Sequence, residues 1–221
     1  MGRANVLKSG YILTVGGRTV LIQALKNAGL DFWEELLLLA LFNIIWCLGT
    51  VLVLPWPFVT FGLFFTVRDI GDGKAIKFTT FFEHARRQWK LAYLWGGVNL
   101  AVVLLLGINI RFYNGLETQW AAFLQVLMIA ILMIWLVLQL VALPIYPRLE
   151  EPTLKLALQN GLVVIGRYPV PMVILIILVG LISLIAVLFP PFLMLSAVAL
   201  IAVLANRLVA GAIERELGRE S

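Results

Sequence analysis

The stretch from residue 30 to residue 70, LDFWEELLLLALFNIIWCLGTVLVLPWPFVTFGLFFTVRDI, limits the fold more than any other part of the chain. Residues 36–54 are nineteen consecutive positions without a charge, enough at about 1.5 Å per residue to cross a hydrocarbon core of roughly 30 Å. The run breaks at Pro55-Trp56-Pro57 and resumes until Arg68. This predicts a helical hairpin over 36–67 whose first arm is a full span. The second arm, 58–67, is too short to cross alone and reads as a short span or a re-entrant helix.

Further apolar runs occupy 91–110, 120–146, 170–189 and 192–205. With 62% of residues hydrophobic and 13% charged, the spans leave too little chain for a second core, so a single polytopic membrane domain over 1–221 is expected. The net charge of +5 could suggest nucleic acid, but the basic residues fall in bands between the spans. With six crossings, sixteen lysines and arginines lie on one side and only Arg111 on the other. Five crossings with the N-terminus outside would give 12 to 5. The positive-inside rule therefore favours six membrane helices with both termini cytoplasmic, and the charge serves topology and anionic lipid. The expected class is an all-α multi-pass protein of the bacterial cytoplasmic membrane, with no nucleic-acid partner.

Between the spans lie three amphipathic stretches expected at the cytoplasmic interface. The first, within 1–35, is broken at Gly16-Gly17, and its Asp31, Glu34 and Glu35 are expected in the first turn of the helix that follows, opposing the positive end of its dipole. The second, 77–90, sets Phe78, Phe81, Phe82, Ala85 and Trp89 against Lys77, Arg86, Arg87 and Lys90, with Thr80 and Glu83 spaced as a capping box. The third is 153–167. The remaining spans then form hairpins over 91–146 and 170–210, the latter turning at Pro190-Pro191.

Strongly polar side chains inside the spans are few, and each needs a partner in hydrocarbon. The candidates are Asn43, Thr60, Asn99, Gln125, Gln139 and Asn206. Asn43 is expected to bond to Thr60 or Thr66 of the returning helix. Asn206 belongs to a stripe with Ser196, Ala199, Ala202 and Ala210 that suits close helix packing, within one chain or in a homo-oligomer. Arg207 can snorkel to the interface. Helix breaks are expected at Pro55 and Pro57 and again at Pro144 and Pro147.

All twelve carboxylates lie outside the spans or at their ends. Intramembrane acid-base chemistry usually keeps an ionisable group at the midplane. No HExxH, G-x-S-x-G or phosphate-cradling glycine loop occurs, so no catalytic residue and no cofactor are assigned. His84 is the only histidine and Cys47 the only cysteine, which excludes an intrachain disulfide and argues against a metal site. No short apolar core with a cleavage site precedes residue 36, and no cleaved signal peptide is expected.

Three segments, FNIIWCLGTVLVLPWPFVTFGLFFTVRD, FTTFFEHARRQWKLAYLW and LPIYPRLEEPTLKLALQNGLVVIGRYP, together resemble the YesL-like family of small bacterial integral membrane proteins, over roughly residues 30–187. Asn43 and Trp46 match the family's Asn-x-x-Trp pattern, and Pro57 with Thr60 its proline turn. Phe81, Phe82 and Trp89 match its aromatic-basic helix, and Tyr146, Pro147, Arg148 and Asn160 its second inner motif. The family's Gly-Pro after the first turn is Phe61-Gly62 here. The resemblance implies no assigned activity and an association with carbohydrate uptake systems of the ATP-binding-cassette type. The expected function is a non-enzymatic accessory of such a transporter, docking through Phe81, Phe82, Arg86, Arg87, Trp89, Arg148 and Asn160. The alternative is a small permease or channel subunit whose uncharged amides bind a sugar-like solute.

Overall fold

A computed structural model describes residues 21–116 and 118–220, with side chains as far as Glu214. Gly16-Gly17 and the rest of the N-terminal segment before Leu21 lie outside the described residues. All regular structure among the described residues is helical.

Helix α1 (Leu21–Glu34) is followed by α2 (Leu36–Val51), and the two meet at an angle of 86°. Leu21, Ala24, Leu25, Ala28 and Phe32 recur at helical spacing and pack one face of α1 on the main core. That face carries the helix through the acidic stretch to Glu34. The expectation for the carboxylates is therefore corrected: Asp31 and Glu34 close α1, and α2 has no acidic residue in its first turn. Glu35 occupies the N-cap of α2 without a side-chain bond. The apolar run of 36–54 is also longer than its helix. Proline disfavours helical backbone in the residue before it, and residues 52–54 form the turn into Pro55, with Val53 at a φ of 61°.

Four segments are long and apolar enough to cross a membrane: Trp89–Asn114, Gln119–Arg148, Pro169–Leu188 and Pro190–Glu214. The bent pair Leu21–Glu34 with Leu36–Val51 raises the number to five. Helix α3 (Trp56–Gly71) has 16 residues, about 24 Å at the usual rise, and falls short of that test. Twelve of its residues are nonetheless buried, because it runs through the middle of the bundle against α2, α4 (Phe78–Arg87), α5 (Trp89–Asn114) and α10 (Val198–Glu220). Its entry is tightly seated: a Cβ on Gly96 of α5 would lie 2.2 Å from Pro57 Cγ. The α3–α4 contact is close for a similar reason, since a Cβ on Gly62 would stand 3.0 Å from the Phe81 carbonyl oxygen.

Helix α4 begins at Phe78 rather than at Thr80. The Lys77 N–H donates to Thr80 Oγ1 at 3.1 Å, so Thr80 sits in the first turn as the acceptor and Glu83 takes no part in the cap. Helix α6 (Gln119–Ala142) is capped by Thr118, which accepts from Ala121 N, and continues through residues 143–145 into a 3-10 turn at Tyr146–Arg148. Helix α7 (Leu154–Arg167) starts on Thr153, which accepts from Leu156 N. Helix α8 (Pro169–Leu188), the short α9 (Pro190–Phe192) and a π-helical turn at Leu193–Ala197 lead into α10.

Burial separates these segments. Of the best hydrophobic windows, 50% is buried in Pro190–Glu214 but only 22–28% in α5, α6 and α8. The last helix is thus a core element beside α3, while α5, α6 and α8 turn most of their apolar surface outward, as lipid-facing helices do.

Candidate functional site

Asn43 has no exposed surface, and its partners differ from those expected. Its Nδ2 donates to the carbonyl oxygens of Leu193 and Met194, both at 2.7 Å. Its Oδ1 accepts from the N–H groups of Val198 and Ala199, both at 2.9 Å. A π-turn disturbs the usual i→i−4 bonding, and one amide has two donors and two acceptor lone pairs. Asn43 therefore bridges the break in the last span with its full bonding capacity. The sequence could not reveal this, because the π-turn has no signature in LMLSA. Thr60 is engaged elsewhere: it donates to Trp56 O at 2.8 Å and accepts from Trp46 Nε1 at 2.9 Å. The proline-turn threonine and the tryptophan of the Asn-x-x-Trp pattern thus tie α2 to α3.

A second polar cluster joins α5 to α6. Trp95 Nε1 donates to Gln139 Oε1 at 2.8 Å, and Asn99 Nδ2 donates to Trp95 O at 2.9 Å. Trp135 Nε1 donates to Asn99 Oδ1 at 3.0 Å. The two tryptophans were not singled out from the sequence, although Trp95 and Asn99 lie one turn apart. Gln139 Nε2, Thr66 Oγ1 and the Tyr146 hydroxyl are buried without a bond among the described residues. Gln125 lies apart from this cluster, donating to Asn114 Oδ1 at the exposed end of the hairpin.

The charged end of the bundle is more ordered than the sequence suggested. Asp69, at the end of α3 and 8% exposed, receives Lys74 Nζ on one oxygen and contacts His84 Nε2 through the other, each at 2.7 Å. Burial opposes ionisation of Asp69, but the bonds and charges of Lys74 and His84 outweigh it and hold the carboxyl below the ordinary carboxylate range. His84 therefore fastens α4 to α3. Arg207 does not merely snorkel: its guanidinium forks onto Asp31, with contacts of 2.5 and 2.7 Å.

Arg148 was expected at a docking surface. It is instead half-buried, donating from Nη1 to Asn206 Oδ1 at 2.8 Å and to Pro144 O at 2.5 Å, and from Nη2 to Asn206 O at 3.4 Å. It lines two neighbouring cavities. One, of about 230 Å³, runs between the 3-10 turn, α7 and α10, with apolar walls including Leu149, Val164 and Ile213 and with Asn160 at its edge. The other, of about 100 Å³, is polar and bordered by Asp72, Asn206, Arg207 and Glu214. Pro144 and Pro147 are buried and end α6 just before this point, which turns Arg148 inward.

Among the remaining docking candidates, Phe81 is fully buried, stacked on Phe42 at 4.9 Å between ring centroids. Phe82, Arg86, Arg87 and Trp89 are exposed. Asn160 is exposed and donates to Leu156 O of its own helix. No group of three metal-ligating side chains exists among the described residues.

Comparison of the chain with family models, with curated proteins and with solved structures finds no match.

Proposed function

We propose that the chain is a non-enzymatic membrane protein that acts as an accessory of a carbohydrate uptake system of the ATP-binding-cassette type. In this reading it sits in the bacterial cytoplasmic membrane with six crossings, α3 being the short second one, and with both termini and the helices α4 and α7 on the cytoplasmic side. The observation that carries it is the two-faced character of α4. Phe81 and Ala85 are wholly buried against the bundle, while Phe82, Arg86 and Arg87, with Trp89 beyond them, point outward. A rigid basic and aromatic surface of this kind suits recognition of a partner at the membrane boundary. The link to a sugar transporter comes from the family resemblance of the same segment.

Two of the amides invoked for the permease alternative have structural partners. Asn43 bonds to backbone groups of the last span, and Asn99 to Trp95 and Trp135, so these amides hold helices together. A photoreactive residue in place of Arg87 in intact cells tests the proposal. A transporter permease subunit, identified by mass spectrometry, is the expected capture. Lipid alone, or another copy of the chain, would overturn it. Accessibility of single cysteines at Arg111 and Arg87, in a chain with Cys47 replaced, checks the topology: only the first should be labelled from outside.

A further inference from the structure

We infer that the cavity beside Arg148 is a binding site for an anionic membrane lipid, its phosphate on the guanidinium and the start of its acyl chain in the groove between α7 and α10. The inference begins with charge. Arg148 makes no ion pair among the described residues, and its three bonds go to the neutral oxygens of Pro144 and Asn206. Two of the guanidinium's five N–H donors have no partner among the described residues. A partly buried cation bonded only to neutral acceptors lacks the directly paired counter-charge that best offsets its desolvation.

Asp72 and Glu214 act on Arg148 only through space and neither pairs with it. Asp72 is taken by Arg68 at 2.9 Å and by Lys74 at 3.5 Å, Asp31 is taken by Arg207, and Glu214 is exposed at the rim of the polar cavity. The neighbouring cations Arg68 and Arg207 oppose those carboxylates at Arg148. An anion in direct contact is the partner that the open N–H groups of Arg148 can still take.

The second observation is the shape of the adjoining space. The cavity of about 230 Å³ has mainly apolar walls, with Arg148 and Asn160 as polar points. It is smaller than the ~300 Å³ at which pockets for whole small molecules begin. It fits a headgroup contact and a few methylenes, with the rest of the tail in the bilayer that the outward-facing helices imply. A free phosphate would satisfy Arg148 but leave the apolar walls uncovered.

Native mass spectrometry of the full chain in detergent, titrated with phosphatidylglycerol, phosphatidylcholine or inorganic phosphate, tests this. Phosphatidylglycerol is expected to bind about tenfold more tightly than phosphatidylcholine, the scale of one charge-assisted contact. Arg148→Gln should abolish the difference, and Arg111→Gln, at the opposite end of the bundle, should keep it. Should Arg148→Gln fail to fold, Val163→Glu decides and should likewise abolish the difference, since Val163 is an exposed residue of the cavity wall and a carboxylate there repels a phosphate. Equal affinity for the two lipids, or a preference that survives both substitutions, would overturn the inference. So would displacement of phosphatidylglycerol by inorganic phosphate at similar concentration, which would assign the site to a free anion.

Discussion

Asp31 and Arg207 stand 176 positions apart and meet in a two-pronged ion pair that binds the end of α1 to the middle of α10. Both side chains are largely shielded, at 14% and 23% exposure. Removing one partner of such a pair leaves the other charge uncompensated and costs about 3–5 kcal/mol when the pair is buried. Asp31→Asn should lower stability toward the lower end of that range and loosen α1 from the bundle. A double-mutant cycle with Arg207→Gln, measured by unfolding in detergent, is expected to show a coupling of at least about 1 kcal/mol; additive effects would mean the pair contributes nothing.

Asn43→Leu keeps the volume of the side chain and strips two carbonyls and two N–H groups of their partner. The expected loss is about 2–3 kcal/mol, since unmet polar groups are costly but membrane proteins find partial substitutes. Thr60→Val, which removes the bond from Trp46 and the local one to Trp56 O, should cost about 1 kcal/mol. Thermal unfolding of the two variants side by side would rank them, and equal losses would refute the bridging role of Asn43.

Gly96 and Gly97 are adjacent but face different surroundings. A Cβ at Gly96 meets Pro57, whereas one at Gly97 meets nothing within 4 Å. Gly96→Ala should destabilise by about 1–3 kcal/mol through overpacking, and Gly97→Ala should be neutral or gain about 0.5–1 kcal/mol from helix propensity. The comparison of melting temperatures isolates the contact at the entry of α3.

Acid should weaken the α3–α4 junction. Asp69 has its carboxyl held below the ordinary range in the folded chain, so its contribution is fully present above the unfolded value of about 4 and is lost as pH falls through the folded value. Hydrogen exchange of α4 between neutral pH and about pH 3 should show a rise in local opening at the acid end of that window. In Asp69→Asn the opening should already be raised at neutral pH, and this acid-dependent rise should be absent.

The apolar runs disclosed the outer helices because hydrocarbon thickness sets a length that chain composition must meet. The turns at Pro55 and Pro190 were legible for the same local reason, whereas the caps Thr118 and Thr153 emerged only with the structure. What stayed hidden depended on contacts distant in sequence. Asp31 reads as a dipole partner of the next helix until α1 is seen to continue through it and reach Arg207. Arg148 reads as a surface cation until the end of α6 at Pro144 directs it onto Asn206. Phe81 and Phe82 are equivalent by hydrophobicity, and only the position of Phe42 decides which one is buried.

The dependence of the π-turn on Asn43 also imposes an order on biogenesis. The amide is synthesised about 150 residues before the carbonyls it serves, an interval on the order of ten seconds at ordinary elongation rates. Until Leu193 emerges, the first hairpin holds a polar group whose final partners do not yet exist. A chain that stops short of the last span keeps that amide open to lipid and to neighbouring helices. Only the arrival of the C-terminal helices thus satisfies the first hairpin.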